Sequence, residues 1–221
     1  VSLAVLLIIG PREGRFSPSG VPKRFTGSNV PLSVLGVCLL WLGWFGFNGG
    51  STLAANQQVP KVMANTVLAG SAGMVVTLAV GWFLLRRPEV TLVMNGSLAG
   101  LVAITASCHA VSATSAILIG AGGGLAMLGA EHLLERHRID DAVGAVPVHL
   151  GAGIWGTLAV ALFGQPAALG TGLDRVSQAG IQGLGIVACG VWTLGVGYLI
   201  LRSINRFFPF RVTPEQERIG L

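Results

Sequence analysis

The sequence has 221 residues, of which 52% are hydrophobic and only 10% charged, with a formal net charge of +5. Soluble domains carry about 25% charged residues, so lipid is the expected solvent. The basic residues separate apolar runs and form no patch with interleaved aromatics, which excludes nucleic acid as a predicted partner. Cys38, Cys108 and Cys189 are far apart and lack metal-ligand spacing, so we predict no disulfide framework, metal site or cofactor.

The apolar runs predict an all-α, polytopic membrane bundle, because a spanning helix needs about 20 mostly apolar residues. The short run 1–10 is predicted to be the end of an earlier span, so we expect this sequence to be a piece of a longer protein. Glycine-rich runs of such length favour helices over membrane strands, which need only about 10 residues each. The six predicted full spans are 32–50, 63–85, 91–108, 113–134, 143–163 and 178–203.

The basic residues alternate between the connections. Of the 14 basic residues, only Lys61 and Arg175 fall on the second, fourth and sixth connections, and the others fall on the alternate side. The side rich in lysine and arginine is cytoplasmic by the positive-inside rule. We therefore predict a plasma-membrane protein whose C-terminus lies in the cytoplasm, and the alternation supports the count of six spans.

The string "WLGWFGFNGGS" at 41–51 places aromatic rings on one helical stripe. Trp44, Phe47 and Ser51 share a face, with Trp41 one turn earlier and glycines on the neighbouring stripe. Aromatic faces attract cations, and a hydroxyl accepts hydrogen bonds. The stripe therefore favours a site for a small cation that donates hydrogen bonds, and the alternative is ordinary aromatic packing or an interfacial belt.

Small and polar residues inside the spans carry simpler predictions. The string "GAGGG" at 120–124 follows no strand and completes no dinucleotide fingerprint, so it predicts close helix packing through Gly120 and Gly124. Asn65 and Asn95 are predicted to form hydrogen bonds between helices. No nucleophile–base pair, paired carboxylates or metal cluster is visible, so an enzyme is not predicted.

His149 lies in "AVPVHLGAGIW", inside the predicted span 143–163. An ionisable residue inside a span is expected to be functional, and the alternative is a neutral histidine bonded to a neighbouring helix. Asp140 and Asp141 precede the same span. Because acidic residues at a helix N-terminus accept free N–H groups and suit the helix dipole, we predict structural roles for both.

Four strings together resemble the ammonium transporter family, which includes the Rhesus relatives, in order and spacing. They are "WLGWFGFNGGS", "NGSLAGLVAIT", "RIDDAVGAVPVHLGAGIWGTLAVALF" and "FRVTPEQERIGL". The resemblance implies eleven spans in two inverted five-helix halves plus a last long helix, assembled as homotrimers with one pore in each subunit. Residues 1–221 are then expected to be the second half of this channel-like transporter, from the end of span five to the start of the cytoplasmic tail.

The resemblance also implies roles for single residues. Trp44, Ser51 and Thr105 match family positions at an outer recruitment site for ammonium. Phe47 matches one of two stacked gate phenylalanines, and His149 matches one of two pore histidines. The other members of these pairs are expected in the half that this sequence lacks.

The resemblance implies that ammonium loses a proton near Phe47 and that ammonia passes His149. Two alternatives remain at this stage. One is an ammonium sensor with a fused output domain, and the other is a non-conducting fragment. A cytoplasmic regulatory protein is a further expected partner, beside ammonium, ammonia and the lipid bilayer.

Overall fold

Helices account for most of the chain in a computed structural model that describes residues 1–25, 27–86 and 89–219. A π-helical turn, Pro147–Gly151, leads directly into the sixth α-helix. The α-helices are α1 (Ser2–Ile9), α2 (Val30–Gly50), α3 (Gln58–Leu85), α4 (Val90–Thr105), α5 (Ala113–Arg136), α6 (Ala152–Phe163), α7 (Pro166–Leu169), α8 (Arg175–Phe207) and α9 (Pro214–Ile219). This confirms the predicted all-α class.

Each of the six predicted spans corresponds to a helix, but two of the helices are short. By length and composition, α2, α3, α5 and α8 can cross a membrane. Helix α4 has 16 residues, and the π turn with α6 covers Pro147–Phe163. The predicted span 91–108 was too long, because α4 ends at Thr105 and a turn follows, in which Ser107 O accepts a hydrogen bond from Ala110 N at 2.8 Å.

Glycines bring the central helices α3, α4 and α5 close together. A Cβ at either Gly100 or Gly120 would collide with the backbone carbonyl of Ala69, and one at Gly73 would collide with the carbonyl of Gly96. Only hydrogen fits at these crossings, so the backbones pack directly, as small residues allow in membrane helices. The predicted close packing through Gly120 is confirmed.

The flanking helices α2 and α8 are much less buried. Among the 21 residues of α2, all of them described, Asn48 and Gly49 are the buried ones. Among the 33 residues of α8, Gln178 is the buried one. Both helices expose long rows of apolar side chains, which suits surfaces that face lipid or other membrane helices.

An ion-pair cluster ties the segment between α1 and α2 to the connection between α5 and the π turn. Arg12 donates to Asp140 from its backbone N at 3.0 Å and from Nε at 2.7 Å, and Arg15 Nε lies 3.2 Å from Asp140 Oδ1. Burial of the Asp140 carboxyl would raise its pKa. The hydrogen bonds from Arg12 and the charges of both arginines outweigh that effect, so its pKa lies below the usual value.

The C-terminal helix α9 lies against the same segment. Arg218 Nε pairs with Glu13 Oε2 at 2.9 Å, and Glu217 accepts a hydrogen bond from the backbone N of Glu13 at 2.8 Å. Arg211 Nη2 in turn contacts Glu217 at 2.9 Å. These exposed pairs hold α9 against the segment that follows α1.

Candidate functional site

Trp44 is held against α4 by its indole N–H. Trp44 Nε1 donates to Thr105 Oγ1 at 2.9 Å, and Thr105 Oγ1 donates to Leu101 O at 2.8 Å. A threonine hydroxyl has a single proton, and Thr105 gives it to Leu101 O, so its oxygen accepts the hydrogen bond from the indole. Two of the predicted recruitment residues are therefore in direct contact, and the orientation of the Trp44 ring is fixed.

Phe47 lies one turn further along α2 with its ring 60% exposed. Its centroid is 6.2 Å from that of Trp44, at an interplanar angle of 81°. Edge-to-face contact is a favoured arrangement for aromatic pairs. Leu39, Leu40 and Gly43 complete a shallow apolar hollow with these two rings.

Ser51 follows the last residue of α2 and is exposed. Its Oγ donates to Phe47 O at 2.6 Å. Since this bond uses the only hydroxyl proton, the Ser51 oxygen presents lone pairs and no donor to its surroundings. An acceptor on the same helical stripe as two aromatic rings suits a cation that carries N–H groups.

His149 lies in the π turn, and such turns are frequent at functional sites. Pro147 and Val148 are buried, whereas His149 is exposed and Leu150 is 45% exposed. Within 1–25, 27–86 and 89–219, no hydrogen bond of the imidazole is present, so nothing there supports a bond to a neighbouring helix. Leu150, the next residue along the chain, carries a bulky apolar side chain.

The turn that carries His149 packs against α4 at a different level from the aromatic group. Val148 and Ala152 belong to one apolar cluster with Ala99 of α4 and Met127 of α5. Ala99 precedes Thr105 by six positions, which is about 9 Å along a helix axis. The structure therefore places the turn of His149 against α4 about one and a half helical turns before Thr105.

Asp141 has the capping geometry expected for the start of this segment. Its Oδ1 accepts from Gly144 N at 3.0 Å, and its Oδ2 accepts from Val146 N at 2.7 Å. The cap fixes the backbone immediately before the turn of His149. Asp140 differs from the prediction, because its carboxylate binds Arg12 and Arg15 and does not cap the helix.

Two polar contacts beside the site were not predicted from the sequence. Trp41 Nε1 donates to Ser97 Oγ at 2.6 Å, and Asn48 Nδ2 donates to Thr66 Oγ1 at 3.0 Å. The sequence signal for the second contact was an amide in an otherwise apolar helix, directly after Phe47. No cluster of three His, Cys, Asp or Glu side chains suited to a metal occurs among the described residues.

An all-helical bundle with several membrane-length helices defines the class as a polytopic membrane protein. Comparison with protein families specifies this further, because residues 1–221 match the Ammonium Transporter Family. The chain belongs to this family. A putative ammonium transporter of Synechocystis sp. is 49% identical over 222 residues, covering 100% of this chain and 41% of that protein.

Other relatives support the same family membership. Ammonium transporter Amt2 of Archaeoglobus fulgidus is 35% identical, covering 100% of this chain and 50% of that protein. A solved "Sensor Amt Protein" superposes with a TM-score of 0.94 at 38% identity, over 99% of this chain and 55% of that one. Candida albicans Mep2 gives a TM-score of 0.85 at 27% identity, over 97% and 50%. The chain spans about half the length of the relatives that it matches.

Proposed function

We propose that this chain supplies the C-terminal half of an ammonium-conducting pore in the plasma membrane. The supporting observation is the group formed by Trp44, Phe47, Ser51 and Thr105 at the ends of α2 and α4, in a chain of the Ammonium Transporter Family. In this proposal the C-terminus lies in the cytoplasm and the complete protein is a homotrimer with one pore per subunit.

Recognition of ammonium relies on its N–H groups. Moving a cation of this size out of water costs of order 20 kcal/mol in the idealised Born limit, so an apolar pore needs compensation at its entrance. The Trp44 ring face attracts the positive charge, and the Ser51 oxygen accepts an N–H bond. Potassium is of similar size but donates no hydrogen bond, so the same site binds it more weakly.

Conduction past the gate then involves the neutral molecule. Ammonium loses one proton near Phe47, and the ammonia then moves inward past His149. The released proton either returns separately or travels along the pair of pore histidines. Leu150, the residue after His149, is bulky and exposed, and in this proposal it narrows this part of the pathway.

The experiment is uptake by the complete native gene product reconstituted in liposomes. We expect ammonium uptake with strong discrimination against potassium, and a loss of that discrimination in Phe47→Ala. Ammonium uptake by Phe47→Ala with unchanged discrimination would contradict the assigned gate.

The sensor alternative is tested by the same material. The intact mass of the native gene product distinguishes a transporter of about twice this length from a larger fusion with an output domain. A liposome preparation of the larger protein that binds ammonium without transporting it would support sensing in place of conduction.

A further inference from the structure

The attachment of α2 to the rest of the fold is concentrated near Phe47. Among the described residues, three side-chain hydrogen bonds attach this helix to other helices: Trp41 to Ser97, Trp44 to Thr105, and Asn48 to Thr66. Of these three bonds, only the last has both partners buried, with Asn48 3% and Thr66 0% exposed. The most deeply anchored polar side chain of α2 is therefore the one that follows Phe47.

The direction of this hydrogen bond is fixed by the chemistry of Thr66. Its hydroxyl donates to Val62 O at 2.7 Å, within α3. One hydroxyl has one proton, so Thr66 can only accept from Asn48. The amide must then present Nδ2 to Thr66, because only its nitrogen can donate. This requirement fixes which end of the Asn48 amide faces Thr66.

Phe47 has few contacts of its own that could set its position. Its ring is 60% exposed and meets Trp44 edge to face. Its carbonyl accepts the Ser51 hydroxyl, which lies within the same turn. The position of the Phe47 ring therefore depends on the backbone at the end of α2, and that backbone is tied to α3 through Asn48 and by the packing of Gly49 against Val59.

We propose that Asn48 is a positioning residue: its hydrogen bond to Thr66 holds the Phe47 ring in place and thereby sets selectivity for ammonium over larger amines. The inference rests on the proposed function, in which Phe47 lines the pathway. Loss of the bond leaves a buried amide without a partner, so the end of α2 shifts to solvate it. A displaced Phe47 ring then admits methylammonium more easily.

Thr66→Val tests the bond with little change in side-chain shape. The complete native gene product is reconstituted, and initial uptake of ammonium and of methylammonium is measured per amount of protein in the membrane. We expect the ammonium-to-methylammonium ratio to fall about tenfold, which corresponds to about 1.4 kcal/mol. Thr66→Ser keeps the hydroxyl and should keep the ratio near that of the unmodified protein.

Thr77→Val is the matched control on the same helix. Thr77 is also 0% exposed, but its hydroxyl bonds to Gly73 O and Met74 O of its own helix and to no residue of α2. The substitution removes an equally buried hydroxyl from α3 at a distance from Phe47. We expect an unchanged uptake ratio, whatever happens to the amount of folded protein.

An unchanged ratio in Thr66→Val, with only a lower maximal rate or less protein, would overturn the positioning role. If Thr66→Val does not reach the membrane, Asn48→Ala removes the same bond while Thr66 keeps its own bond to Val62 O, and a fall in the ratio is again required. Phe47→Ala separates the two proposals. If it shifts the ratio and the Asn48 and Thr66 variants do not, the inference alone fails. If Phe47→Ala leaves the ratio unchanged, the gate that the proposed function assigns to Phe47 fails.

Discussion

Most glycines of the central helices are crowded, whereas most glycines of the flanking helices have open surroundings. On α3, α4 and α5, an added Cβ at Gly73, Gly100 or Gly120 would collide with a neighbouring backbone. On α2 and α8, no other described residue comes within 4 Å of a Cβ added at Gly43 or Gly190. The central helices thus pack backbone against backbone. Helices α2 and α8 bury few residues and lack such close crossings at these glycines.

The candidate site lies across this boundary. Thr105 and the turn of His149 belong to the packed part of the bundle, while Trp44, Phe47 and Ser51 belong to the loosely attached α2. The relative position of these two sets depends on individual hydrogen bonds. Substitutions in the core should therefore change stability, and substitutions along the boundary should change substrate recognition.

The largest expected effect is on stability in the packed region. Gly120→Ala places a methyl group against the Ala69 backbone and should lower the free energy of unfolding by about 3 kcal/mol. Thermal unfolding in lipid nanodiscs measures the loss. Gly129→Ala is the matched control on the same helix, since no described residue lies within 4 Å of its Cβ, and it should be neutral or slightly stabilising. Equal losses would contradict the packing argument.

The next effect concerns the ion pairs of Asp140. Asp140→Asn removes the charge that binds Arg12 and Arg15 and should lower the free energy of unfolding by about 2 kcal/mol. The pKa of Asp140 is lowered in the folded protein. Its contribution to the free energy of unfolding is therefore complete above the usual pKa of 3.8 and is lost as the pH falls through the lower pKa of the folded state.

Unfolding followed between pH 3 and pH 7 tests this pH dependence. Below about pH 4, the difference between the unmodified protein and Asp140→Asn should shrink, because the carboxyl becomes protonated. Glu215→Gln is the control, an exposed carboxylate without an ion pair in the described part of the chain. A constant difference across the whole range would be inconsistent with the ion-pair account.

A smaller effect is expected on recognition at the boundary. Trp44→Phe keeps a ring but removes the N–H that donates to Thr105, so the KM for ammonium should rise about fivefold, as expected for a bond worth about 1 kcal/mol. Trp41→Phe removes the comparable bond to Ser97 one turn away and should leave KM unchanged. A rise in both variants would locate the effect in the attachment of α2 and not in recruitment.

Local patterns predicted the helices and the close packing, because both depend on residues near in sequence. Helix α2 and the glycine crossing at Gly120 follow directly from such patterns. The Asn65 amide illustrates the limit, since it donates to Cys108 O at 2.9 Å and Val111 O at 3.2 Å in the turn after α4, not to a neighbouring helix. That turn ends α4 three residues before the predicted boundary.

Contacts between distant segments could not be predicted in this way. Arg12 and Asp140 are 128 positions apart, and no local pattern joins them. The same holds for Asn48 and Thr66, whose pairing depends on the angle between α2 and α3. The π turn at His149 also has no periodic signature, because it differs from an α-helix by a single residue in the turn.

The most direct test of the central claim is the ammonium current of the complete protein with and without His149. The account predicts that His149→Ala alters the current, its selectivity over potassium, or both, because the imidazole lies on the pathway inward of Phe47. A His149→Ala protein that carries ammonium with unchanged current and selectivity would contradict the account.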